Sequence, residues 1–483
     1  MTTILLRSFR FVALCFAAGV TVLAQQPYDL VIAGGRIIDP ESGVDAIRHI
    51  GIRGDRIAQI STTPLTGRDT IDAAGLVVAP GFIDLHRHGV GNTSYEYAAR
   101  DGVTSAFELE IGTADVDAWY RMLGPSRLIN FGVGAGHIGA RMEVLGDKGF
   151  LLPTGPGRGA ATPEQVSRIA AIVERALAAG GIAAGIGTSY TPGAGEAELA
   201  AIVEAASRHG AMVFAHLGSL KAAIATAAKF RTPLHVAHVN STAGDRIREW
   251  LEMIAEARRQ GVDVTTELYP YTAGASLIQS ALYDGWEKRP DEWFATLQWA
   301  ATGERLTRET FARYRKQGGS VISHSNTEEN VRISIADPLP MIASDGGRDL
   351  DDRPTHPRAS GTFARILGEY VREQKILTLH DALRRMTIEP ARRLQDRVPD
   401  MRDRGRLRVD AYADITVFDP ATVKDQSTYV DAAQYSRGIS HVIVNGTPVV
   451  RAGDFATHAV LQGQRLVLGS SMPGRPMRAT REQ

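Results

Sequence analysis

The sequence predicts a (β/α)8 barrel carrying a small β-sandwich built from both chain flanks, and three observations point there. Between about residues 80 and 400, short apolar strands alternate with amphipathic helices, in the number and over the length that such a barrel needs. The two flanks, about 27–79 and about 401–468, instead read as strands and tight turns with no helix of useful length. Finally, the strands of the central stretch end repeatedly in histidine or aspartate, and strand ends are where a barrel of this kind builds its active site.

Composition bounds the rest. With 483 residues, 44% of them hydrophobic, the chain has material for more than one domain and a sizeable core. Lys+Arg 54 balance Asp+Glu 54, so no charge argument favours nucleic acid or an anionic membrane, and a small-molecule substrate is the expected partner. Oligomeric state is not written in the sequence. Arg7 and Arg10 precede an apolar run from Phe11 to Ala24 that ends in Val22-Leu23-Ala24. Residues 1–24 therefore read as a cleaved secretory signal, and the mature protein as secreted or periplasmic. The run is shorter than the roughly 20 residues of a membrane span, so no stable anchor is expected after cleavage. Cys15, the only cysteine, lies inside it. Disulfides, thiolate metal sites and cysteine nucleophiles are thereby excluded from the mature chain.

Taken in order, Leu30-Val31-Ile32, Ile37-Ile38, Ile50 with Ile52, and Ile57 with Ile60 are short strands separated by Gly34-Gly35 and Gly54-Asp55. The same texture returns at Ile415-Thr416-Val417-Phe418 and on both sides of Asn445-Gly446, a hairpin turn signal. The barrel opens with Phe82 to Leu85 and continues through 102–107, 129–133, 181–186, 211–215, 234–237, 262–266 and 339–343. Amphipathic helices are expected at Pro163 to Ala179 and Glu196 to His209. Residues of about 283–319, rich in Trp and charge, read as an insertion suited to a lid, and 469–483 as a loosely held tail.

Side chains two apart on a strand share a face, so His86 and His88 point together from the end of the first strand. His216 follows the fifth strand, His238 the sixth, and Asp345 the eighth. Neutral imidazoles with a carboxylate are a ligand set for Zn²⁺ or a similar divalent ion. Asp84, on the face of His86 and His88, is placed to orient a ligand from behind.

These motifs carry a resemblance. Pro80-Gly81-Phe82-Ile83-Asp84 with His86 and His88, Tyr269-Pro270-Tyr271-Thr272-Ala273-Gly274, Ala343-Ser344-Asp345-Gly346 and the run from His356-Pro357-Arg358 to Gly368 resemble the D-aminoacylases (N-acyl-D-amino-acid deacylases) of the amidohydrolase superfamily. The resemblance implies zinc held mainly by His216, His238 and a bridging residue from the second strand, with His86 and His88 at a second metal position. It implies Asp345 as general acid/base, and His137, Tyr269 and Arg358 as substrate-binding residues. The implied reaction is metal-dependent hydrolysis of the amide bond of N-acyl-D-amino acids. Where the family usually offers a bridging cysteine, this chain reads Phe107-Glu108-Leu109-Glu110-Ile111-Gly112, and no lysine after the fourth strand offers itself for carbamylation. A carboxylate is then the expected bridge: Glu110 nearest the rim, with Glu108, one layer deeper on the same face, as second choice. Being harder than a thiolate, it would widen tolerance to Mn²⁺ or Co²⁺, with one or two ions bound.

Other chemistries fit less well. Gly134, Gly136 and Gly139 match a dinucleotide-binding spacing, but no acidic-ended second strand follows. No Gly-x-Ser-x-Gly elbow occurs. Within hydrolases, the alternatives are a dipeptidase for C-terminal D-residues and a cyclic-amide or lactone hydrolase. A catalytically inactive binding barrel is the reading from a different class.

Overall fold

Eight parallel strands form the central sheet of the computed structural model, which describes residues 27–347, 352–455 and 472–480. The predicted leader lies outside the described residues. The strands neighbour one another in chain order, from Phe82–Asp84 through Val103–Thr113, Asn130–Gly136, Ala183–Gly187, Met212–His216, Leu234–Val236 and Val264–Leu268 to Pro340–Ile342. Side-chain and backbone hydrogen bonds close the seam between first and last. Asp84 accepts hydrogen bonds from the Ser344 backbone N–H at 2.9 Å and its hydroxyl at 2.5 Å, and the His88 N–H donates to Gly346 at 2.9 Å. Asp84 thus differs from its expected role: besides Ser344, it accepts from the His86 backbone N–H at 3.3 Å, and it touches no imidazole. It lies too deep on the strand face to reach a ring at the rim.

The helices follow from their sequences. Pro163–Ala178 begins with a capping box between Thr162 and Gln165 and has proline in its first turn. Its buried Ile169, Ile172, Val173, Ala176 and Leu177 recur at helical spacing and press on the barrel. Glu196–Arg208 does the same with Ile202, Val203, Ala205 and Ala206. Among the described residues, no helix is long and apolar enough to cross a membrane.

The two flanks meet in one mixed nine-stranded sheet. Val77–Pro80 pairs antiparallel with Ile415–Phe418, and Tyr28–Asp39 pairs with Val44–Arg53, Gly67–Asp72 and Val77–Pro80. Leu30, Ile32, Ile50, Ile52, Ile57, Ile415 and Ile443 form its own core. The Asn445-Gly446 turn joins Ile439–Val444 to Thr447–Arg451, and both turn residues have positive φ, as a tight hairpin of that type requires.

Two segments differ from expectation. The small sheet of the insertion pairs Gly274–Leu277 and Leu297–Trp299 with Ser320–Ser323, so it gathers strands from both sides of 283–319. The tail is not loosely held over 472–480. Gly474 pairs with Arg127 and Pro476 with Phe131, while Met477, 1% exposed, joins the apolar core of the barrel. A single large apolar side chain in a polar context gave too weak a pattern to predict this docking.

Candidate metal centre

The second barrel strand continues past the expected end at Phe107 to Thr113 and carries Glu108 and Glu110. Its register with Asn130–Gly136 breaks between Glu108 and Thr113, and the freed stretch presses on the neighbouring strands. Glycine makes this possible. A Cβ on Gly136 would lie 2.3 Å from the Ile111 carbonyl oxygen, and one on Gly185 2.2 Å from that of Glu110. The glycine-rich Gly134-Ala135-Gly136 therefore admits a strand rather than a phosphate.

Glu110, buried, offers an oxygen to each side. Its Oε2 lies 2.7 Å from His86 Nε2 and 3.2 Å from His88 Nε2, and its Oε1 lies 3.0 Å from His216 Nδ1. Asp345 Oδ1 approaches His88 Nε2 at 3.2 Å and His86 Nε2 at 3.5 Å, and its Oδ2 lies 3.9 Å from His238 Nε2. Two groups able to hold an ion result, His86, His88, Glu110 and Asp345 on one side and Glu110, His216 and His238 on the other. Glu110 belongs to both.

The donor chemistry fits a cation. Carboxylates occupy Nδ1 of His86 (Glu267, 2.5 Å) and of His88 (Glu108, 2.7 Å), so each ring spends its N–H there and turns a bare Nε2 lone pair inward. Those two nitrogens stand 3.1 Å apart beside two more carboxylates. Acceptors so placed repel unless protons or a metal ion lie between them. Without metal, protons serve. Burial opposes charge on His86, yet Asp345, Glu267 and Glu110 hold its pKa well above the ordinary value, and Glu108, Asp345 and Glu110 do the same for His88. His238 goes the other way. Burial lowers it to about 4. The backbone is strained at both rim residues, with φ +30° at His238 and +50° at Asp345, a conformation side-chain-bearing residues seldom adopt.

The amidohydrolase family pattern matches residues 139–450. The chain is 31% identical to N-acyl-D-glutamate deacylase of Alcaligenes xylosoxydans xylosoxydans over 88% of this chain and 94% of that one. It is 30% identical to the D-aminoacylase of the same organism over 88% and 95%. It belongs to the N-acyl-D-amino-acid deacylase family of amidohydrolases. Two solved structures extend the likeness across 94% of this amidohydrolase and 100% of theirs. N-acyl-D-glutamate deacylase from Bordetella bronchiseptica, complexed with zinc and a phosphonate inhibitor, has a TM-score of 0.79 at 27% identity. A D-aminoacylase studied for its binuclear metal centre has 0.74 at 26%.

Around this candidate centre of the amidohydrolase, the remaining predicted residues divide. Arg358, at the start of the helix Arg358–Arg365, places Nη1 2.7 Å from Asp345 Oδ2 and its guanidinium 4.6 Å from the Tyr269 ring centroid. Burial raises the Tyr269 hydroxyl to about 12 and keeps it protonated. His137 is not brought to the cluster. Its buried Nε2 meets Glu198 at 2.7 Å, a carboxylate that also pairs with buried Arg141. Glu198 comes from a distant helix, so sequence gave no hint that His137 would be drawn away. Three residues were missed. Tyr190 lies 4.7 Å from the His216 ring, and Glu267 with His235 stands behind His86. The seventh strand, Val264–Leu268, sits later than the expected 262–266, and that shift concealed Glu267 as a strand residue.

Proposed function

We propose that this protein hydrolyses the amide bond of N-acyl-D-amino acids, using one or two divalent metal ions, most simply Zn²⁺, held by His86, His88, Glu110, His216 and His238. The observation that carries the reading is the sharing of Glu110 between two ligand groups. A metal ion there supplies an electrophile that polarises the amide carbonyl and makes water acidic enough to attack at neutral pH. Asp345 would serve as the base that accepts a proton from the attacking water and as the acid that gives it to the departing amine. Its carboxylate suits the first half of the task. Although burial favours protonation, Arg358, His86 and His238 hold it ionised, well below the usual carboxylate range. A substrate carboxylate that takes over Arg358 Nη1 would weaken this hold and so ease the return of the proton. Tyr269 packs beside that exchange. Ile111, Leu151, Leu152 and Leu277 line the cavity next to Arg358 and Asp345, a surface that suits an apolar acyl or side chain. Export through the leader 1–24 would place the reaction outside the cytoplasm.

The test is turnover of N-acetyl-D- and N-acetyl-L-amino acids by purified protein, stripped with chelator and then reloaded with Zn²⁺, Mn²⁺ or Co²⁺. D-selective hydrolysis that disappears on stripping and returns on reloading is expected. Equal or faster turnover of the L-enantiomers, or hydrolysis indifferent to chelation, would overturn the proposal.

A further inference from the structure

Behind the His86 ring lies a second, wholly buried polar group. Glu267, 1% exposed, places Oε1 2.5 Å from His86 Nδ1. Its Oε2 has no hydrogen-bond partner and lies 3.4 Å from Nε2 of His235, a buried ring whose Nε2 is likewise without one. His235 is fixed in turn, with Nδ1 2.8 Å from the Thr265 hydroxyl and its ring stacked on Phe214 at 4.6 Å. Phe214 meets the His86 ring edge-on at 5.2 Å. No guanidinium or ammonium group appears among the side chains that contact Glu267.

A carboxylate buried without a cationic side chain is costly, and the cost is offset only if positive charge arrives nearby. His86 can deliver it, because an ion at Nε2 polarises the whole ring and strengthens the bond at Nδ1. The geometry is that of a carboxylate–imidazole pair aimed at a metal position, where the outer group fixes the tautomer, turns the ring and makes the inner nitrogen a better donor. We propose that Glu267, backed by His235, is a positioning residue that aims His86 Nε2 and sets metal affinity at the His86/His88 position separately from the His216/His238 position. This rests on reading the cluster as a metal centre.

Zinc titration of stripped protein against a chromophoric chelator separates the possibilities, applied to wild type, E267Q and E267A, with thermal unfolding as the check on folding. E267A should weaken the zinc class belonging to His86 and His88 by about 10–100-fold and leave the other within about threefold. E267Q, nearly identical in shape and still able to accept from Nδ1–H, should fall between wild type and E267A. If E267A fails to fold, E267Q decides alone, by weakening one class and sparing the other. The inference is overturned if both variants leave every zinc affinity unchanged or weaken all classes equally. Absence of zinc uptake by wild type would instead overturn the metal-centre reading itself.

Discussion

His86 and His88 are each braced at Nδ1 by an outer carboxylate, Glu267 and Glu108, whereas His238 is braced by the Thr242 hydroxyl at 2.7 Å and His216 has only the shared Glu110 at Nδ1 and the tilted Tyr190 ring beside it. The halves therefore differ in the charge they expect. Anionic outer groups make the first half a place that is filled by protons or by a metal ion at all times. The neutral Thr242 hydroxyl adds no charge behind His238, and burial keeps that ring uncharged, ready to accept an ion without first losing a proton. Glu110 faces both, and Asp345 reaches across from the eighth strand to His88 and His238. The contrast teaches that two imidazole pairs sharing one carboxylate need not make equal sites, because the groups behind each ring decide what it carries.

A large effect on hydrolysis alone should come from the group that spans the halves without tying them together. Asp345→Ala should lose about 10²–10⁴-fold in hydrolysis, the usual contribution of a general acid/base, while metal analysis still returns zinc held by His216, His238 and Glu110. A variant within threefold of wild type would assign proton transfer elsewhere.

Smaller, and specific to the contrast, is the pH dependence of the stripped protein. His86 and His88 have raised values in the fold, so the stability they give is complete below the ordinary histidine value near 6.5 and is lost as pH rises through their folded values. His238 is lowered to about 4, so between about 6.5 and 4 the unfolded chain binds a proton that the fold refuses, and stability falls as pH drops. Melting temperature by calorimetry should decline by a few degrees on both sides of pH ~6.5. His238→Gln should make the acid-side decline shallower without touching the alkaline side; the remainder belongs to His235, His324, His356 and His441, which burial also lowers. A decline on neither side, or an acid-side decline as steep in His238→Gln as in wild type, would break the contrast.

Much of this was legible in the chain. Apolar runs such as Phe82-Ile83, bounded by turn residues, locate all eight strands, since a buried parallel strand needs little else. Strand parity put His86 with His88, and Glu108 with Glu110, on shared faces. Parity could not say which carboxylate reaches which ring. That depended on the register break after Glu108, which tips Glu110 toward three histidines and leaves Glu108 on His88 alone. Glu267 escaped because a strand end misplaced by two residues changes what lies in the barrel. His137 escaped because its partner, Glu198, is far away in sequence and nothing local announces the pairing.

The account turns on Glu110 as the one ligand common to both halves, and metal content of Glu110→Ala beside Glu108→Ala tests it most directly. After gentle purification and dialysis, elemental analysis of Glu110→Ala should find zinc depleted from both positions and hydrolysis abolished, because His216 with His238, and His86 with His88, would each lose a ligand together. Glu108→Ala, which frees His88 Nδ1 and the Ile111 and Gly112 N–H groups, should cost stability but keep the zinc of the His216/His238 position. Full metal content in Glu110→Ala, or loss of all metal from Glu108→Ala alone, would contradict the shared-carboxylate centre.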